Sequence, residues 1–226
     1  MIDEGYIKYR CQWVKEDAIA SHNLTAEIAE LTRYRNALHQ LGLIGEYPNG
    51  IGFGNLSQKL SPHSPLPSPH SPTSFVITGT QTGHLPTLTA ADYALVTEFD
   101  AAKNTLTCKG LRQASSESLT HGVIYDAWAG ISAVIHVHHS RLWRNLLNQV
   151  PTTAAKVPYG TPEMAAETQR LFQDASLLQQ RIFVMAGHED GVVTFGENLQ
   201  MAYRVLINWG MMVGIVPDNA LQLPFQ

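Results

Sequence analysis

Two histidines separated by one residue are the strongest chemical signal in this sequence. His136 and His138 lie in the apolar, β-branched run 132–140, which is typical of a buried strand. Side chains alternate across a strand, so both imidazoles are predicted to point to the same face. His188 follows a second short apolar run, 182–186, and adds an imidazole at a strand end. We therefore expect His136, His138 and His188 to bind one metal ion.

The expected metal is zinc, although the donor set also suits other ions. Neutral imidazoles are good zinc ligands, and catalytic zinc sites usually hold three protein ligands and keep one position open. Nickel, cobalt, manganese or iron could occupy the same donors. The alternative for any single histidine is a hydrogen-bonded core residue. Two histidines on one strand face and a third at a strand end favour the metal site.

A carboxylate and two hydroxyls mark the start of a predicted helix, 115–129. Glu117 is expected in its first turn, with His121 four residues later on the same face. A carboxylate beside a metal can move a proton at the carbon next to a polarised carbonyl. Hydroxyls and free N–H groups at a helix start also suit a phosphate, which makes Ser115 and Ser116 candidate anion ligands. Alternatively, Glu117 only interacts with the helix dipole and the serines only cap the helix.

The spacing of apolar residues along the sequence predicts an α/β fold. An apolar stripe over residues 24–41 steps at helical spacing and includes one arginine, Arg35. Glycine-rich loops at 50–57 and 79–83 allow backbone N–H groups to approach a ligand. The Pro/Ser-rich stretch 61–74 is expected to be an exposed loop. The predicted helices cover residues 24–41, 89–101, 115–129, 140–147, 162–172 and 197–215, and the predicted strands cover 56–60, 74–78, 105–109, 131–138, 181–186 and 191–195.

Composition limits the classes of function. The chain has 226 residues, 44% of them hydrophobic, which predicts a single domain over 1–226. A net charge of -4 with scattered Lys and Arg predicts neither nucleic-acid binding nor membrane binding. The start of the chain does not resemble a signal peptide, and the apolar run 205–216 fits a buried helix, so a cytoplasmic protein is expected. Cys11 and Cys108 are expected to be isolated reduced thiols.

Several of these motifs together resemble the class II aldolase/adducin family. They are Gly54–Ser57, Thr78–Gly83, Ser115–Glu117 with His121, His136 with His138, and His188, and the likeness spans roughly residues 24–216. The resemblance implies a three-layer α/β/α sandwich with a mainly antiparallel central sheet, and a homotetramer. It implies that the three histidines bind zinc and that Glu117 is the catalytic acid/base. It also implies that the substrate phosphate binds at four positions: Asn55, Gly83, Ser115 and Ser116.

The predicted function is a metal-dependent lyase. It would reversibly cleave a small phosphorylated hydroxy-ketose, a sugar-phosphate-like substrate, through a metal-stabilised enediolate. The alternatives are an epimerase or dehydratase on the same metal site, or a non-catalytic adducin-like oligomeric scaffold. The sequence departs from the family at Glu189, where members often have glycine, and in the tail 221–226, which lacks a tyrosine. Tyr159 lies near a proton-donating tyrosine of the family but in a shifted register, so a packing role is an equal alternative and Tyr159 is left out of the predicted catalytic residues.

Overall fold

Strands and helices are interspersed along the chain in the computed structural model, which describes residues 6–60 and 73–225. The strands are β1 (Arg10–Val14), β2 (Gly45–Glu46), β3 (Gly52–Phe53), β4 (Asn55–Lys59), β5 (Phe75–Thr78), β6 (Tyr93–Asp100), β7 (Thr105–Lys109), β8 (Ala133–His138), β9 (Ile182–Val184) and β10 (Gly191–Gly196). The α-helices are α1 (Ala18–Ser21), α2 (Thr25–Gln40), α3 (Ser118–Ala127), α4 (Ser140–Leu146), α5 (Pro162–Leu171), α6 (Ala175–Gln180) and α7 (Leu199–Met212). Two 3-10 helices cover Ala90–Asp92 and Asp218–Phe225. Of the loop predicted at 61–74, residues 61–72 lie outside the described residues.

Eight strands form one sheet, in the order β1-β7-β6-β5-β4-β8-β10-β9. The pairing between β1 and β7 is parallel, and every other neighbouring pair in this sheet is antiparallel. β2 and β3 form a separate hairpin. The predicted mixed α/β fold with a large sheet is confirmed. Strand β8 is an interior strand, and its register places His136 between Asn55 of β4 and Val193 of β10.

The two faces of the sheet pack against different helices. Ile135 and Val137 of β8 belong to a cluster of buried residues that also includes side chains of α2 and α7. Val134 belongs to a second cluster, with side chains of α3 and α5. Burial of each such aliphatic side chain contributes roughly 1.5–3 kcal/mol. Because side chains alternate along β8, His136 and His138 share the face of Val134, which is the face covered by α3.

The predicted helix at 89–101 is wrong. Thr89 and Asp92 do form the expected capping box, with the Thr89 N–H donating to Asp92 Oδ2 at 2.9 Å, but it closes only the 3-10 turn Ala90–Asp92. The chain then continues as β6, in which Tyr93–Val96 is fully buried between β5 and β7. Pairing and burial on both faces outweigh a local capping signal. The helix expected from Ser115 likewise begins later, at Ser118, with Glu117 at its N-cap.

Two further expectations concern the apolar run 205–216 and the two cysteines. The run 205–216 falls largely in α7, a helix with one buried face, and none of the helices in the described ranges has the length and apolarity needed to span a bilayer. The two cysteines are reduced, but they are not isolated from each other. Their sulfur atoms lie 3.5 Å apart because β1 and β7 are adjacent strands.

Candidate active site

Three imidazoles meet at the end of β8. His136 and His138 extend from that strand, and His188 lies in the turn between β9 and β10. The ring centroids are 4.7 Å apart for His136 and His138, 5.2 Å for His136 and His188, and 4.7 Å for His138 and His188. A nitrogen from each ring lies within 4.8 Å of the others. A side chain at Gly191 would reach to 3.2 Å from His136 Nε2, so glycine there leaves room for the cluster. We refer to these three residues as the histidine centre.

The chemistry of the histidine centre fits a metal ion. All three side chains are buried. Burial, reinforced by the neighbouring imidazoles, holds the pKa of His136 and of His138 well below the usual value, so both rings are neutral and keep a lone pair for a metal. His136 Nε2 has no hydrogen-bond partner among the described residues. A buried polar atom in this state needs an explanation, and a bound cation would provide one.

Polar groups behind the rings fix their orientation. The hydroxyl of Tyr47 lies 2.8 Å from His138 Nδ1, and the amide nitrogen Nδ2 of Asn55 lies 3.4 Å from His136 Nδ1. An oxygen at these positions accepts the Nδ1–H of a neutral imidazole and leaves Nε2 for a metal, which is the usual arrangement around histidine ligands. For Asn55 this requires the amide oxygen to face the ring. His139, by contrast, caps helix α4, with Nδ1 accepting from the Leu142 N–H at 3.3 Å.

Glu117 lies directly beside the histidine centre. Its side chain is 1% exposed, and its Oε1 atom is 3.6 Å from His188 Nδ1. The backbone around it is fixed by Tyr9, whose hydroxyl donates to the carbonyl oxygens of Ala114 and Ser115 at 2.9 and 3.0 Å. The structure therefore brings the predicted acid/base to the predicted metal ligands, although Glu117 lies 19 residues before His136 and 71 residues before His188 in the chain.

The four predicted phosphate ligands line one small cavity, which we call the anion pocket. Its volume is about 20 Å³. It is lined by Gly52, Gly54, Asn55, Gly79, Thr80, Gln81, Thr82, Gly83, Ser115 and Ser116. Asn55 contacts both the anion pocket and His136, so the pocket and the histidine centre are adjacent.

His121 belongs to a buried hydrogen-bond network behind Glu117. Its Nδ1 atom lies 2.7 Å from Ser57 Oγ, which also lies 2.7 Å from the hydroxyl of Tyr125. Burial lowers the pKa of His121 to about 3. This histidine is therefore neutral at physiological pH, and it stabilises the contact between α3 and β4.

Three aromatic residues surround the histidine centre, and sequence reasoning missed two of them, Tyr47 and Phe53. Phe53 and Tyr47 come from the β2–β3 hairpin, and the Phe53 ring centroid is 5.6 Å from that of His138. Tyr159 stacks on His188, with centroids 4.4 Å apart and planes 20° apart, and Lys8 Nζ lies 3.8 Å from the Tyr159 ring centroid. The Pro-Asn-Gly sequence between the two hairpin strands is a turn signal that could have predicted the hairpin.

The fold and the site together define a class of protein: a mixed α/β domain with a buried three-histidine centre next to a carboxylate. Comparison with known families agrees. Residues 30–209 match the family described as Class II Aldolase and Adducin N-terminal domain, and the chain belongs to this family. Among curated proteins no sequence matches the chain significantly.

Solved structures with the same fold are distant in sequence. An L-fuculose 1-phosphate aldolase is 19% identical with a TM-score of 0.62, over 88% of this chain and 94% of that one. A sugar-phosphate aldolase from Thermotoga maritima is 16% identical with a TM-score of 0.64, over 85% and 94%. YgbL from Escherichia coli, whose description leaves aldolase, epimerase and decarboxylase open, is 19% identical with a TM-score of 0.59, over 87% and 96%. These likenesses establish the fold.

Proposed function

We propose that this protein is a metal-dependent carbon–carbon lyase that reversibly cleaves a small phosphorylated hydroxy-ketose. The observation that carries the proposal is the position of Glu117, a buried carboxylate 3.6 Å from one imidazole of a three-histidine cluster. Membership of the class II aldolase family supports a lyase. The names of two structural neighbours, an L-fuculose 1-phosphate aldolase and a sugar-phosphate aldolase, support a sugar-phosphate substrate.

The residues of the chain have distinct proposed roles. His136, His138 and His188 would hold a divalent cation, for which we propose zinc. When bound, such a cation supplies Lewis acidity to a carbonyl oxygen and so makes the neighbouring C–H more acidic. Asn55, Gly83, Ser115 and Ser116 would bind the phosphate and position the carbonyl end of the substrate near Glu117.

Glu117 is proposed to move the proton. In the direction of bond formation, its carboxylate removes a proton from the carbon next to the carbonyl, and that carbon then attacks the aldehyde carbon. The aldehyde oxygen becomes a hydroxyl by taking up one proton, and Glu117 gives up the proton that it removed, so the step is proton-neutral and the carboxylate is restored. Cleavage is the reverse: the hydroxyl loses its proton, the carbon–carbon bond breaks, and Glu117 returns a proton to the carbon.

The test is a panel of sugar phosphates, incubated with metal-loaded protein and analysed by NMR. We expect one ketose phosphate to be cleaved to an aldehyde and a smaller ketone, one of which carries the phosphate. Inversion of a stereocentre or loss of water would instead identify an epimerase or a dehydratase on the same residues. A complete absence of products across the panel would favour a non-catalytic, adducin-like scaffold. We further propose a homotetramer, which light scattering of the purified protein would test.

A further inference from the structure

A buried guanidinium lies behind one wall of the anion pocket. Arg35 of helix α2 is 1% exposed, although arginine is normally a surface residue. Its Nη2 atom donates to the carbonyl oxygens of Thr82 and Gly83, both at 2.9 Å. These two residues also line the anion pocket. The side chain therefore connects α2 to the turn that forms the pocket.

The charge of Arg35 is not neutralised by an ion pair. Among residues 6–60 and 73–225, no carboxylate lies within ion-pair distance of Arg35, and its Nη1 atom has no hydrogen-bond partner. The Asp92 carboxylate favours the charged form from a distance, but it is paired with Arg112 at 2.8 Å. Burial lowers the pKa of Arg35 to about 10, so the side chain still carries its proton at neutral pH. A buried, unpaired charge is costly, and an anionic ligand would compensate it.

The hydrogen bonds from Arg35 to the carbonyls of Thr82 and Gly83 also orient the backbone N–H groups of the same turn. No peptide bond in the described chain is cis, and in a trans peptide the C=O and N–H point in opposite directions. Arg35 holds the carbonyls of Thr82 and Gly83 on its own side, so the N–H groups of Gly83 and His84 point away from it. Neither N–H finds an acceptor within the described part of the chain; Gly83 lines the anion pocket, and His84 follows it at the exposed edge of the same turn. Two free N–H groups on consecutive residues are a recurrent means of binding anionic oxygen.

The lining of the anion pocket provides no positive side chain of its own. Its described residues are glycines or carry neutral amide and hydroxyl groups. A phosphate dianion is bound most strongly where a positive charge accompanies the hydrogen-bond donors.

We propose that Arg35 is the positioning residue of the anion pocket: it fixes the Gly83 and His84 N–H groups toward the ligand and supplies the positive charge that the lining lacks. This inference rests on the proposed function and deepens it, because it makes the charged phosphate the part of the substrate that is recognised first. Arg35 acts through the turn and does not itself need to touch the phosphate.

The first test measures the affinity of the full-length protein for inorganic phosphate by calorimetric titration at several salt concentrations. We expect Arg35→Met to weaken binding by at least about tenfold, since one buried charge is lost, and to flatten the dependence of affinity on salt. Arg35→Lys, which keeps the charge, should recover part of the affinity. Arg33→Met is the matched control, because Arg33 lies on the same helix and is exposed; it should bind phosphate normally. A folded Arg35→Met protein with wild-type affinity and salt dependence would overturn the inference.

A second measurement needs no variant and therefore does not depend on how well Arg35→Met folds. In the wild-type protein labelled with ¹⁵N, phosphate titration should shift the amide signals of Gly83 and His84 more than those of exposed residues elsewhere. Unmoved Gly83 and His84 signals in a phosphate-saturated sample would contradict the inference. Neither measurement requires turnover. Arg35-dependent phosphate binding by a protein that cleaves no sugar phosphate would leave this inference standing and remove the proposed function. Cleavage of a sugar phosphate by a protein whose phosphate affinity does not depend on Arg35 would support the proposed function and overturn this inference.

Discussion

The histidine centre and the anion pocket are adjacent, but they are built from different parts of the chain. The histidine centre consists of side chains on an interior strand and a tight turn, and every ring is buried. The anion pocket consists mainly of glycine backbone and small hydroxyls from three separate loops. The comparison shows that the proposed metal site depends on side-chain identity, whereas the proposed phosphate site depends on how distant elements such as α2 hold the backbone in place.

The largest effect is expected from removing one imidazole. His188→Ala should lose bound metal and reduce turnover to background, because two remaining histidines make a poor metal site. Metal content by mass spectrometry, together with a turnover assay, checks this. His139→Ala is the matched control: the same side chain one position from His138, turned instead toward the start of α4. If His188→Ala kept its metal, the proposed ligand set would be wrong.

Removing the acid/base should separate catalysis from metal binding. Glu117→Gln keeps the shape of the side chain but cannot accept the proton, so we expect turnover to fall about 10²–10⁴-fold with metal content nearly unchanged. Glu163→Gln is the control, since Glu163 is also an acid at a helix start but is exposed. Equal activity of Glu117→Gln and wild type would leave Glu117 with only a structural role at the N-cap of α3.

A negative charge introduced into the anion pocket should weaken substrate binding and leave the histidine centre unaffected. Ser115→Asp places a carboxylate among the proposed phosphate ligands, and like-charge repulsion should raise KM for a phosphorylated substrate about tenfold or more. The histidine centre should keep its metal. Thr87→Asp adds the same charge at an exposed position outside the pocket and should leave KM unchanged. Unaltered KM in folded Ser115→Asp would mean that the phosphate binds elsewhere.

A smaller effect is expected behind the metal ligands. Tyr47→Phe removes the hydroxyl that lies 2.8 Å from His138 Nδ1. Loss of such a partner typically weakens metal binding about 10-fold, and up to 100-fold. Competition with a chelator measures the affinity. Tyr6→Phe, which changes an exposed tyrosine, is the control. Unchanged affinity in Tyr47→Phe would indicate that the hairpin contact contributes nothing to the histidine centre.

The sequence predicted the histidine centre better than its surroundings for a physical reason. The spacing of His136 and His138 on a β-branched run fixes their common face locally, so no tertiary information is needed. Tyr47 and Tyr159 reach the same rings from distant segments, and no local pattern specifies such contacts. The helix predicted at 89–101 failed because a capping box is a local preference worth about 1 kcal/mol, which burial of β6 between two strands exceeds. Arg35 did stand out in the apolar stripe of its helix, but its partners are backbone carbonyls, which carry no sequence signal.

A further prediction concerns the buried network of His121, Ser57 and Tyr125 between α3 and β4. Burial lowers the pKa of His121 to about 3, whereas an unfolded histidine titrates near 6.5. Between these values the unfolded chain binds one more proton than the folded chain at this position, so the free energy of unfolding falls as pH falls. The expected slope is about 1.4 kcal/mol per pH unit for each such histidine, and above about pH 6.5 the contribution is complete. Urea unfolding of wild type and His121→Asn from pH 7 to pH 4 measures it. The variant should lose stability less steeply with acid, even if it is less stable at pH 7. Parallel slopes would show that His121 is not held neutral, and that the network between β4 and α3 is more accessible to protons than the rings of the histidine centre beside it.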